Sequence, residues 1–242
     1  MSVTTNLNDK KMAKFILNRP DDSLTLSRGK IIGTTLIWLV ILMACAIVLR
    51  IVCVAIYMMK GINPMELTQF GGDPALYIGQ PFWKMLLKLL VLAPVAEELM
   101  FRLGLSFKRQ TVALWAGLLP VVCAFYMHQC KVWYILLGFA AIGAVLYWLI
   151  CRYTTDEQWK AWRTKYIIPA MWISAIGFGL VHFRAFSVLN WQVFPFALAT
   201  ILIPTADGCA ITYARVNLGF WWGILFHCLV NLPAIILLAS SL

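Results

Sequence analysis

Two adjacent carboxylates, Glu97 and Glu98, sit inside a long apolar run that also carries Arg102. Within lipid a carboxylate costs several kcal/mol unless it is paired, neutralised or facing water. On a helix, Glu98 and Arg102 stand four residues apart, so they share a face and can neutralise one another. Glu97 is turned about 100° from Glu98, and its own fourth neighbour, Phe101, is apolar. A carboxylate in that setting suits general-base chemistry, the removal of a proton from an attacking water. The competing reading is a buried network in which both glutamates only hold helices together.

Two more polar pairs recur in distant apolar runs. His182 follows Phe178 by four residues and Asn231 follows His227 by four, so each pair shares a helix face. His227 and Asn231 can aim two donors at one point, the arrangement that stabilises a developing oxyanion. A lone intramembrane histidine is more often a hydrogen bond between helices. Three polar clusters in three separate runs each carry their own desolvation cost, which points to one shared site. His128 is the rival imidazole. It ends a run just before Gln129-Cys130-Lys131, an interfacial position, and Ala124 stands where His182 has Phe178. Glu and His are competent zinc ligands, but the H-E-x-x-H spacing of a zinc peptidase helix is absent. A site with no cofactor is expected, a metal ion being the less favoured alternative.

Composition indicates the kind of element that carries these residues. The chain has 242 residues, 62% of them hydrophobic and 12% charged, with a mean hydropathy of +0.82. A water-soluble domain of this length needs more polar surface, so an all-α, polytopic transmembrane helical bundle is expected. Continuous rather than alternating apolar runs exclude a membrane β-barrel. Seven runs approach the length of a span: 31–58, 82–103, 112–127, 132–150, 166–183, 191–213 and 218–238. Residues 60–81 hold four glycines and three prolines and read as a loop. The link between the third and fourth runs is a short hairpin, which makes those helices antiparallel. No internal repeat is visible, so an inverted-repeat transporter is not indicated.

The net charge of +10 flanks the apolar runs, so the lipid bilayer and not nucleic acid is the expected partner. With the N-terminus inside, thirteen Lys and Arg fall on the cytoplasmic side against Lys60, Lys131 and Arg184 outside. Residues 1–30 are then a basic cytoplasmic segment, and the run from residue 31 is too late and too long for a cleaved signal peptide. Residues 31–242 form a single membrane domain. The seven cysteines, odd in number and without a C-x-x-C pair, read as small buried hydrophobes.

Together, Glu97-Glu98-x-x-x-Arg102, Phe178-x-x-x-His182 and His227-x-x-x-Asn231 resemble the three signatures of the CPBP intramembrane proteases. The stretch Asn217-Leu218-Gly219-Phe220-Trp221-Trp222-Gly223-Ile224 also looks like that family's lead-in to its last motif. The family includes the type II CAAX prenyl endopeptidases and bacterial relatives linked to bacteriocin processing or immunity. The resemblance covers about residues 82–235 and implies a catalytic core there. In many members the His-bearing helix directly follows the Glu-Glu helix; here a helical hairpin is inserted at about 111–150, which preserves helix direction. The implied function is hydrolysis of a peptide bond in a membrane-associated protein or peptide, in a bacterial cytoplasmic membrane. The resemblance implies Glu97 as the base that activates water with help from His182, and His227 and Asn231 as the oxyanion hole. Glu98, Arg102 and Phe178 would support them. A non-catalytic binding or immunity protein of the same fold is the second reading, and a transporter or proton relay the third.

Overall fold

The computed structural model describes residues 27–63, 81–126, 133–186 and 190–239, which are helical almost throughout. Helix α1 (Arg28–Met59) comes first. Next, α2 (Phe82–Leu86) passes through a π-helical turn (Leu87–Leu92) into α3 (Ala93–Phe101), which ends in a 3-10 turn (Leu103–Ser106). Then come α4 (Arg109–Tyr126), α5 (Trp133–Tyr153) and α6 (Asp156–Leu180), with a second 3-10 turn at Val181–Ala185. The chain closes with α7 (Phe194–Leu218) and α8 (Phe220–Ala239).

Over the described residues each expected apolar run coincides for most of its length with helix, and two differences bear on the site. The fifth run starts at Asp156 instead of near residue 166. Its apolar pattern begins late, but its start signal is earlier: Thr155 accepts from the Gln158 backbone N–H, and the Gln158 side chain accepts from that of Thr155. Asp156 and Glu157 in the first turn complement the helix dipole. The charged stretch between the fourth and fifth runs is therefore helix from Asp156 onward. The second run, 82–103, is not one regular helix but two pieces joined by the π turn.

Among the described residues four helices are long and apolar enough to cross a membrane: Arg28–Met59, Trp133–Tyr153, Asp156–Phe183 and Phe194–Leu218. Arg109–Ala124 and Phe220–Pro233 are apolar but shorter. The basic segment before residue 27, most of the glycine- and proline-rich loop, and the hairpin containing His128 lie outside the described residues.

Helix α7 is the central element, packed on α1, α6 and α8. Against α1 and α8 it forms a cluster of Leu39, Ala210, Ile211, Ala214 and Phe226. At its other end Tyr57, Phe186 and Phe196 pack together, and the Tyr57 hydroxyl donates to the Gln192 carbonyl at 2.5 Å. Large apolar side chains face outward, as on α5 with Trp133, Leu137, Ile142, Val145 and Trp148. Beside the buried apolar clusters, the inward faces also carry polar residues such as Thr35, Glu98, Arg102 and Thr212.

Helices α4 and α5 meet backbone to backbone. A Cβ on Gly143 would overlap the Gly117 carbonyl group, and one on Gly117 would lie 3.3 Å from Tyr147 Cβ. Close approach of small residues is how membrane helices associate when burial against lipid yields no hydrophobic gain. Gly143→Leu is expected to cost about 1–3 kcal/mol through overpacking. Gly138→Leu, where nothing lies within 4 Å, should leave stability unchanged. Thermal unfolding of both variants in detergent checks this, and equal midpoints would contradict the packing.

Candidate functional site

The site is built on α3, whose short helix buries Glu97 and Glu98 toward α8. His227 of α8 contacts both carboxylates. Its Nδ1 lies 3.0 Å from Glu98 Oε1, and its Nε2 lies 3.2 Å from Glu97 Oε2. Glu98 Oε1 also accepts from Arg102 Nη1, the i, i+4 pair expected on this helix. Glu98 and Arg102 are fully buried, and Glu97 and His227 nearly so.

Arg102 ties this pair to two other helices. Its Nε donates to Thr212 Oγ1 of α7 at 3.1 Å. Its guanidinium carbon lies 4.5 Å from the ring centroid of Phe178 on α6, a cation–π contact strengthened by the absence of water. The same Phe178 ring meets both imidazoles edge to face, His182 at 5.1 Å and His227 at 5.2 Å between centroids. Phe178 thus joins the second motif to the first and third.

His182 is oriented by its own helix: its Nδ1 lies 2.8 Å from the Phe178 carbonyl oxygen. A carbonyl only accepts, so Nδ1 carries the proton and Nε2 is the basic nitrogen of the neutral ring. His227 has a carboxylate at each nitrogen. Glu98, anchored by Arg102, holds Nδ1, and a proton can pass between Nε2 and Glu97. Asn231, one turn further along the same face of α8, engages a different group: its Nδ2 donates to the Leu89 carbonyl in the π turn at 2.9 Å.

Two glycines make room for these groups. A Cβ on Gly208 of α7 would lie 3.1 Å from Phe178 Cδ1 and 3.3 Å from Arg102 Nη2. One on Gly223 of α8 would come within 2.8 Å of Glu98 Oε2.

The structure therefore brings Glu97, Glu98, Arg102, Phe178 and His227 into one contact network, adds His182 through the Phe178 ring, and directs the Asn231 amide to a backbone carbonyl instead. It also buries polar groups on α7 that the three motifs do not include: Asp207, Thr212 and Arg215. Arg215, one of the thirteen basic residues assigned to the cytoplasmic side, flanks Gly223 together with Glu98: a Cβ there would lie 3.5 Å from Arg215 Cβ and 2.8 Å from Glu98 Oε2. The desolvation reasoning that singled out Glu97 applies equally to Asp207 and Arg215, which are charges within or beside an apolar run. Among the described residues no group of three His, Cys, Asp or Glu side chains is arranged to hold a metal ion.

No family model matches the chain, and no curated protein or solved structure matches it.

Removing one partner of a buried ion pair leaves the other uncompensated, at a cost of about 3–5 kcal/mol. Arg102→Met is expected to destabilise by that order. Combining it with Glu98→Gln, which removes the stranded charge, should recover much of the loss. Thermal unfolding of the single and double variants measures the coupling, and simply additive losses would show that the two groups do not sustain each other.

Proposed function

We propose that this chain is an intramembrane endopeptidase of the CPBP type, hydrolysing a peptide bond of a membrane-associated protein or peptide. In this reading the helical segments form seven spans, the N-terminus is cytoplasmic, and the enzyme resides in a bacterial cytoplasmic membrane. The observation that carries the proposal is the 3.2 Å pairing of Glu97 Oε2 with His227 Nε2, inside a buried cluster supplied by α3, α6, α7 and α8. Residues from three separate sequence motifs meet there, and a network serving packing alone would not require a second imidazole on the same Phe178 ring.

The chemistry is water attack on a carbonyl carbon. Glu97 takes one proton from the water as its oxygen bonds to that carbon, and the carbonyl oxygen becomes an oxyanion. Once Glu97 is protonated it no longer competes for the N–H of His227 Nε2, which then donates to that oxygen, while Glu98 and Arg102 fix the ring from its other side. His182, with its Nε2 basic, assists the water. Collapse of the tetrahedral intermediate breaks the C–N bond as Glu97 returns the proton to the departing amine. One water is consumed, and a carboxylic acid and an amine are released; the acid's proton then passes to the amine to give carboxylate and ammonium.

Glu97→Gln keeps the shape of the side chain but cannot accept the proton. Cleavage should fall by at least about 100-fold, with helix content and unfolding midpoint close to those of the wild type. Comparing membrane peptides from cells carrying each form, followed by turnover of a recovered substrate by purified protein, tests this. Undiminished cleavage by Glu97→Gln would reject the assignment.

A further inference from the structure

The π turn before Glu97 leaves backbone groups that another helix must satisfy. The Ala93 N–H donates to the Lys88 carbonyl, five residues back. The next rung in that register would run from residue 94 to the Leu89 carbonyl, but residue 94 is proline and has no N–H. The four-residue donor for Leu89 would be Ala93, which already serves Lys88. The Leu89 carbonyl is thus orphaned in either register, while the Leu90 carbonyl loses its four-residue donor to Pro94 and has only the five-residue donor, Val95, left to it. A carbonyl left without a backbone donor in an apolar segment requires an outside partner.

Both partners come from α8. Asn231 Nδ2 donates to the Leu89 carbonyl at 2.9 Å, and the Cys228 thiol donates to the Leu90 carbonyl at 2.9 Å. His227, the residue before Cys228 and one turn before Asn231, meets Glu97 and Glu98. One face of α8 therefore grips the Glu-bearing helix twice, at the carboxylates and about two turns earlier at the broken backbone.

We propose that Asn231 and Cys228 are positioning residues: they clasp the π turn and so set the angle at which Glu97 and Glu98 meet His227. The clasp serves the active site proposed above, so its catalytic consequence rests on that reading, while its structural consequence does not. In an oxyanion role Asn231 would touch the reacting atoms. In the clasp it acts through Leu89, and its loss matters only as long as Leu89 lacks a backbone donor. Misplacement of reacting groups by a fraction of an ångström to 1 Å is enough to lower kcat by about 10–100-fold.

Pro94→Ala separates these roles, because it supplies the missing N–H while Glu97, Glu98 and His227 all remain unsubstituted. In full-length protein in lipid nanodiscs, Asn231→Leu should lower the unfolding midpoint by about 3–6 °C. It should also reduce kcat with little change in KM. Adding Pro94→Ala should restore both the midpoint and kcat. The same logic applies to Cys228→Ala, with Cys228→Ser retaining the donor and the wild-type behaviour; this series decides if Asn231→Leu does not fold. Failure of Pro94→Ala to recover the midpoint in either background would overturn the clasp, as would loss of kcat in Asn231→Leu at an unchanged midpoint. Recovery of the midpoint in a protein whose wild type cleaves nothing would uphold the clasp and remove the protease reading instead.

Discussion

The ion pair between Glu98 and Arg102 is the constraint around which the rest is arranged. Both side chains are fully buried, in a chain whose outer surface is suited to lipid. No water is at hand to solvate either charge, so each must find every partner within the protein. One turn of helix supplies the first partner. The remaining donors and acceptors have to come from other helices, and this dictates which helices meet. Arg102 draws in Thr212 from α7 and the ring of Phe178 from α6, and Glu98 draws in His227 from α8. Four helices are thereby fixed around one pair of charges.

Such a centre needs space as well as partners. Gly208 and Gly223 sit where a methyl group would press on Arg102, Phe178 or Glu98. Gly179 fulfils a related need further along, where a Cβ would come within 3.1 Å of the Ile201 carbonyl oxygen. Close backbone approach lets short polar side chains reach across helices, and van der Waals contact then provides the cohesion that lipid does not. The π turn obeys the same principle. It gives up regular backbone pairing at Leu89 and Leu90, and side chains of α8 replace the lost donors. π turns of this kind recur at functional sites, since they re-aim the helix beyond them.

The functional reading gains from this economy. Glu97 belongs to the cluster but is not held by the i, i+4 pairing that engages Glu98, and its contact is with the ring nitrogen opposite the anchored one. In the proposed reaction one acid braces the imidazole and the other serves as the base beside it. Environment, not residue type, separates the two adjacent glutamates, as in other sites where two carboxyl groups take different roles.

Much of this was legible in the order of the residues alone. Continuous apolar runs set the class as all-helical and membrane-embedded, because only helices satisfy their own backbone in lipid when no alternating pattern is present. The cost of a buried charge singled out Glu97, Glu98, Arg102, His182 and His227, and helical periodicity paired Glu98 with Arg102. Periodicity reaches no further than one helix. It could not say that His227 would take both glutamates, that Asn231 would turn to Leu89, or that Asp207 and Arg215 would be buried on α7. Those choices depend on how helices cross, which is set by the summed fit of glycines, Pro94 and the unsatisfied groups each helix brings. Local spacing established the groups that each segment had to offer. The packing of helices against one another selected which of those groups met, because desolvation in lipid is settled by partners distant in the chain.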